Sequence, residues 1–116
     1  MFLNDNNKNK NRGRLEIICE ILNIAQVKKR KTKIMYQANL SFVQVGRYLQ
    51  TLVDNDLVEL LDGTFYLTTP KGKGFLKMYA EYVKRLQRIG QEEAETEKNK
   101  MQLETMCLNS EKNRKV

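Results

Sequence analysis

Residues 31–70 read KTKIMYQANLSFVQVGRYLQTLVDNDLVELLDGTFYLTTP, and the order of signals in this stretch decides the fold. Thr32 stands where it can cap a short helix, KIMYQA, that offers Ile34, Met35 and Ala38 to a core. Asn39 and Leu40 make a tight turn, and Ser41 caps the next helix, FVQVGRYLQTLVDND. There Val45, Tyr48, Leu49, Leu52 and Val53 form an i, i+3, i+4 stripe. Two short helices across a short turn constitute a helix-turn-helix. LVELL and TFYLT then read as strands around Asp62-Gly63, because both central positions of a type I′ hairpin turn require φ > 0. Thr69 as cap and Pro70 at the first helical position open a last helix, where proline costs no intrahelical hydrogen bond.

Upstream, RLEIICEILNIAQV from Arg14 keeps Glu16, Glu20 and Asn23 on one narrow stripe and leaves the rest of the cylinder apolar, which predicts a central core helix. Cys19 lies within it as a small packing residue. KKRK at 28–31 reads as a basic connector. Residues 1–12 are Asn/Lys-rich with almost nothing to bury and are expected to form a disordered basic arm. Downstream, Phe75, Tyr79, Tyr82, Leu86 and Ile89 recur at spacings of 4, 3, 4 and 3, a coiled-coil seam that Gly90 interrupts. Beyond Gly90 the pairs Glu95/Lys98 and Glu97/Lys100 favour helix, but Met101, Leu103, Met106 and Leu108 lose the register. The expected organisation is an arm at 1–12, a winged-helix domain at 13–74, a long helix at 75–108 that frays, and a disordered tail at 109–116. The fold class is mainly α with a minor β component.

Composition narrows the function. The 116 residues include 21 Lys+Arg, 14 Asp+Glu, no His and two Cys, for a net charge of +7. Without His there is no imidazole base and no His ligand for zinc, and Cys19 and Cys107 match no metal-binding spacing. No enzyme, cofactor or metal is expected. Asp54, Asp56, Glu59 and Asp62 form a solvated acidic edge in preference to a Mg²⁺ site. No apolar run approaches a membrane span or a signal peptide, so the reading is of a soluble cytoplasmic chain with reduced thiols. The charge is uneven: residues 1–31 carry +5, 32–68 carry −2, 69–90 carry +5 and 91–116 carry −1. Clustered cations suit a polyanion, since each phosphate neutralised releases counterions.

Helix, helix-turn-helix and hairpin make a winged helix, in which the third helix enters the major groove of DNA. With the apolar stripe inward, Ser41, Gln44, Arg47, Gln50 and Thr51 face out and are the candidate base-reading residues, Arg47 foremost. Candidate phosphate contacts are Arg12 and Arg14 from the arm, Lys28, Lys29, Arg30, Lys31 and Lys33 before the helix-turn-helix, and Lys71 and Lys73 at the start of the last helix. The wing tip, Asp62, Gly63 and Thr64, carries no cation, which argues against minor-groove insertion. Tyr36, Tyr48 and Tyr66 are expected in the core with polar tips outward. Gly46 is expected to permit a close approach to the second helix, and Gly72 and Gly74 to leave room for the hairpin. Tyr79, Tyr82, Leu86 and Ile89 form a candidate dimer interface, because a seam that outruns a small domain needs a second copy to cover it.

RGRLEIICEIL and KTKIMYQANLSFVQVGRYLQTLVDNDLVELLDGTFYLTTPKGKGFL resemble the archaeal ArnR-like winged-helix family, close to archaeal chromatin proteins that pair a winged helix with an antiparallel coiled-coil dimer. The resemblance spans about residues 12–90. It implies sequence-tolerant or weakly selective binding of double-stranded DNA by a homodimer, in a nucleoid-associated architectural role or in transcription regulation. Thr68 replaces the usual apolar residue before the helix-starting Thr, the Asn-rich arm is extra, and the tail past Gly90 is longer than the resemblance explains. The alternative reading is a protein-interaction adaptor whose winged helix recruits a protein partner, with the coiled coil as scaffold.

Overall fold

The computed structural model describes residues 12–115, with side chains to residue 108. The expected arm therefore lies outside the described residues except for Arg12. Two compact units divide between Tyr79 and Ala80. The first contains α1 (Arg14–Ile24), β1 (Lys29–Arg30), α2 (Lys31–Gln37), α3 (Phe42–Asp54), β2 (Val58–Leu61), β3 (Phe65–Thr68) and the start of α4 (Pro70–Lys115). The second is the remainder of α4.

Helix α1 is built around buried Ile17, Ile21 and Leu22, with Glu16 accepting from the Gly13 amide to close its first turn. It stops at Ile24, short of the Val27 that the apolar pattern suggested. Helix ends leave orphan carbonyls, and here Ala25 O accepts from the Thr68 amide at 2.8 Å while Leu22 O accepts from Thr68 Oγ1 at 2.7 Å. The chain then leaves as a strand. KKRK is thus no mere connector: Lys29 and Arg30 pair antiparallel with Tyr66 and Phe65, giving a three-stranded sheet ordered β1-β3-β2. Arg30, in extended backbone, is also the N-cap of α2, a place the sequence reading gave to Thr32.

Helices α2 and α3 end alike. Leu40 N bonds Met35 O and Asn39 N bonds Tyr36 O around Asn39 at φ 56; Leu57 N bonds Leu52 O and Asp56 N bonds Val53 O around Asp56 at φ 61. Both are Schellman motifs, and Asn and Asp are the non-glycine residues that tolerate the left-handed position best. Ser41 caps α3 as expected: its Oγ accepts from Gln44 N at 3.1 Å and Gln44 Oε1 accepts from Ser41 N at 3.0 Å. In the hairpin Asp62 and Gly63 both have positive φ, and three residues separate the paired Leu61 and Phe65.

The core joins Ile17, Ile21 and Leu22 to Ile34, Val45, Leu49, Leu52 and Val58, with Tyr48, Val53, Tyr66, Phe75 and Leu76 packed against it. Tyr36, expected in this core, is exposed, because the face of α2 turned inward is taken by Ile34 and Ala38, four residues apart. Gly72 fulfils its expected role: a Cβ there would stand 2.3 Å from Leu57 O and 2.6 Å from Thr68 Cγ2, whereas Gly74 has nothing within 4 Å. Helix α4 passes through Gly90 without a break and its backbone stays helical to Lys115, in place of the expected fraying and of the loss of structure from Asn109. Among the described residues no helix is long and apolar enough to cross a membrane.

Candidate nucleic-acid interface

The third helix turns its apolar stripe inward, as the spacing required, and exposes Ser41, Gln44, Arg47, Gln50 and Thr51. Not all of these are equally available. Ser41 and Gln44 are engaged in the capping box, and Gln50 Nε2 donates to Asp54 Oδ1 at 2.8 Å, one turn on. Arg47 and Thr51 instead line a groove of about 360 Å³ together with Gln44, Tyr48, Ile18 and Arg14. Arg14, assigned from sequence to backbone contacts, thus stands beside the candidate base-reading residues, carried there by the first turn of α1.

Two of the candidate phosphate cations are otherwise occupied. The Arg12 side chain is only 4% exposed, forms an ion pair with Glu20 and donates from Nη2 to Asn39 O at 3.3 Å, so it ties the entry to α1 onto the turn between α2 and α3. Lys71 Nζ donates to Asn55 O at 2.9 Å at the C-terminal end of α3, where a cation offsets the negative end of the helix dipole. Thr69 Oγ1 closes the same corner by donating to Asp56 O at 2.6 Å and accepting from Gly72 N at 3.0 Å.

Three of the remaining candidate cations, Lys28, Arg30 and Lys31, lie over two aromatic rings. Lys28 Nζ lies 4.9 Å and the Arg30 guanidinium carbon 5.1 Å from the centroid of Phe65, next to the hairpin turn. Such contacts hold a cation in place without neutralising it. The wing, whose tip has no Lys or Arg, receives its charge from β1. Lys31 Nζ lies 4.1 Å above the Phe42 ring and 3.2 Å from where a Cβ of residue 46 would be, so Gly46 makes room for a lysine from the start of α2. Lys33 and Lys73 are exposed, and Lys29 is half-buried where it pairs with Tyr66.

Sequence reasoning missed two residues on this surface, Phe42 and Val43, which open α3 and are 60% and 59% exposed. Phe42 sits three residues before Val45 and so falls near the apolar stripe, which hides it; Val43 is out of phase with the stripe, and that mismatch was the available signal. On α4, Tyr79 is half-buried with its ring parallel to that of Phe75 at 6.4 Å, and Tyr82, Leu86 and Ile89 are exposed.

Comparison with known proteins fits this architecture. An uncharacterized protein of Methanocaldococcus jannaschii is 41% identical over 71 residues, 60% of this chain but 33% of the relative, so the chain spans about a third of that protein's length. A second uncharacterized protein of the same organism is 35% identical over 79 residues, 64% of this chain and 81% of the relative. Among solved structures, Sso10a-2, a DNA-binding protein from Sulfolobus solfataricus, superposes with a TM-score of 0.65 at 24% identity, covering 75% of this chain and 95% of that one. The family described as winged helix-turn-helix matches residues 11–87. These residues hold the helix-turn-helix, the wing and the first turns of the long helix, and the chain belongs to the winged helix-turn-helix family.

Proposed function

We propose that this protein binds double-stranded DNA as a homodimer, mainly through cation-to-phosphate contacts, and performs no catalysis. The observation that carries the reading is the placement of Arg14 and Arg47 along one groove on the recognition helix, with Lys28, Arg30 and Lys31 held by aromatic rings in the same winged-helix domain. Helix α3 presents Arg47 and Thr51 to base edges, and Lys28, Lys29, Arg30, Lys31, Lys33, Lys73 and Arg14 supply the sequence-independent term. That Sso10a-2 is described as DNA-binding supports the same reading. Two copies associate through Tyr79, Tyr82, Leu86 and Ile89 of α4, as the resemblance to chromatin proteins with a coiled-coil dimer implies. The excess of candidate phosphate-binding cations over candidate base-reading residues favours an architectural role in the nucleoid over site-specific regulation.

Anisotropy titration of a labelled duplex at several salt concentrations tests the reading. Affinity is expected to fall with a log–log slope of about −0.9 for each phosphate neutralised, and Lys28→Gln with Arg30→Gln reduces that slope by about 2 for each protomer bound, or about 4 for the dimer. A discrete footprint lost in Arg47→Ala would assign the protein to regulation instead. The acidic end of α3, Asp54 and Asp56, favours a second reading as a protein-recruiting adaptor. Absence of duplex binding at low salt, together with full function after charge reversal of Lys28 to Lys31, selects that reading.

A further inference from the structure

Phe42 and Val43 occupy the first turn of α3, the part of a recognition helix that meets base edges, and both are exposed. The polar side chains of that turn are committed to the fold, since Ser41 Oγ and Gln44 Oε1 satisfy each other's backbone amides. What the turn offers outward is therefore largely apolar. Lys31 Nζ stands 4.1 Å over the Phe42 ring, so the apolar pair has a cation at its edge, and Arg47 follows on the same helix. An apolar surface framed by cations fits a polyanion that itself carries apolar groups. In the major groove the apolar group presented by the bases is the C5-methyl of thymine.

We infer that Phe42 and Val43 select for thymine by packing against its C5-methyl group in the major groove. The inference rests on the DNA-binding reading above and gives it a base preference where the polar residues of α3 supply little. It also reconciles weak selectivity with phosphate-dominated affinity: a buried methyl changes affinity about fourfold, enough to bias occupancy toward A·T-rich duplex without defining a single site.

The test uses the full chain and anisotropy titration of an alternating A·T duplex, the same duplex with uracil for thymine, and a G·C duplex with and without 5-methylcytosine. Uracil is expected to weaken binding about fourfold for each methyl buried, and 5-methylcytosine to tighten it. Val43→Ala alone, which leaves Lys31 over the Phe42 ring, keeps the thermal unfolding midpoint and the salt slope and shrinks both differences, and the double variant Phe42→Ala with Val43→Ala loses both. Equal affinity of the unmodified protein for the thymine and uracil duplexes overturns the inference and leaves DNA binding standing. Retention of the discrimination by the double variant also overturns it, because duplex shape and not methyl contact would then be read. Failure to bind any of the four duplexes at low salt removes the DNA-binding reading itself.

Discussion

Thr68 Oγ1 donates a 2.7 Å hydrogen bond to the carbonyl of Leu22, and the two residues, 46 positions apart, fasten the last strand of the sheet to the last turn of the first helix. Thr68 is 3% exposed, and its backbone amide takes the neighbouring carbonyl of Ala25. A hydroxyl in an otherwise apolar core is tolerated because it finds an acceptor that the end of α1 leaves open. This polar side chain is thus an integral part of the packing.

Thr68→Val keeps the shape and removes the donor, leaving Leu22 O without this partner in the core. A loss of roughly 1–3 kcal/mol of folding stability is expected, read by urea unfolding of the full chain. An unchanged midpoint would show that the bond contributes nothing net.

Gly72→Ala and Gly74→Ala should move stability in opposite directions although both lie in the first turns of α4. At Gly74 the added methyl meets nothing within 4 Å, and alanine improves helix propensity by roughly 0.5–1 kcal/mol. At Gly72 the methyl runs into the Leu57 carbonyl and the Thr68 side chain. That clash outweighs the propensity gain, since overpacking costs about 1–3 kcal/mol. Thermal melts of the two variants decide the matter.

Leu86→Asp with Ile89→Asp places carboxylates on the exposed face of α4. On the proposed homodimer, this variant is expected to be monomeric by light scattering and to bind duplex more weakly, because two linked domains would engage a lattice of phosphates at high effective concentration. A variant that remains dimeric would place the interface elsewhere on the chain.

The two thiols should differ in reactivity. Burial, and secondarily the charge of Glu20, push the Cys19 thiol above its ordinary value of 9.0, whereas Cys107 is exposed. Alkylation at pH 8 is expected to modify Cys107 first and Cys19 slowly, since the thiolate is the nucleophile. The same shift implies that the stability contributed by a neutral Cys19 is fully present below pH 9 and declines as pH rises beyond it. Mass spectrometry of a time course checks the order, and unfolding at pH 8 and pH 10, with Cys19→Ala as control, checks the sign.

Long periodic elements were legible in the sequence: the stripe of Val45, Leu49 and Leu52, the cap at Ser41, the Asp62-Gly63 turn and the Thr69-Pro70 start of α4 all stand where local chemistry puts them. What could not be read was decided by partners distant in sequence. Strand β1 has two residues, too few for an alternating pattern, and exists because β3 accepts it. Arg12 looks like part of a polar arm until Glu20 and Asn39 surround it. Of the candidate site, the outward face of α3 was readable from its inward stripe, but the engagement of Gln44 and Gln50 depends on side-chain geometry that spacing does not carry.

The pairing of Lys29 with Tyr66 and of Arg30 with Phe65 encloses the entire helix-turn-helix within one long chain closure. Such a closure is entropically unfavourable until the intervening segment has compacted, so β1 joins the sheet after α2 and α3 have docked. The β1 edge of the wing is consequently expected to form last and to open first, with the recognition helix still docked. Amide protons of the β1–β3 ladder are then expected to exchange through this sub-global opening, at a lower free energy than those of the α3 core.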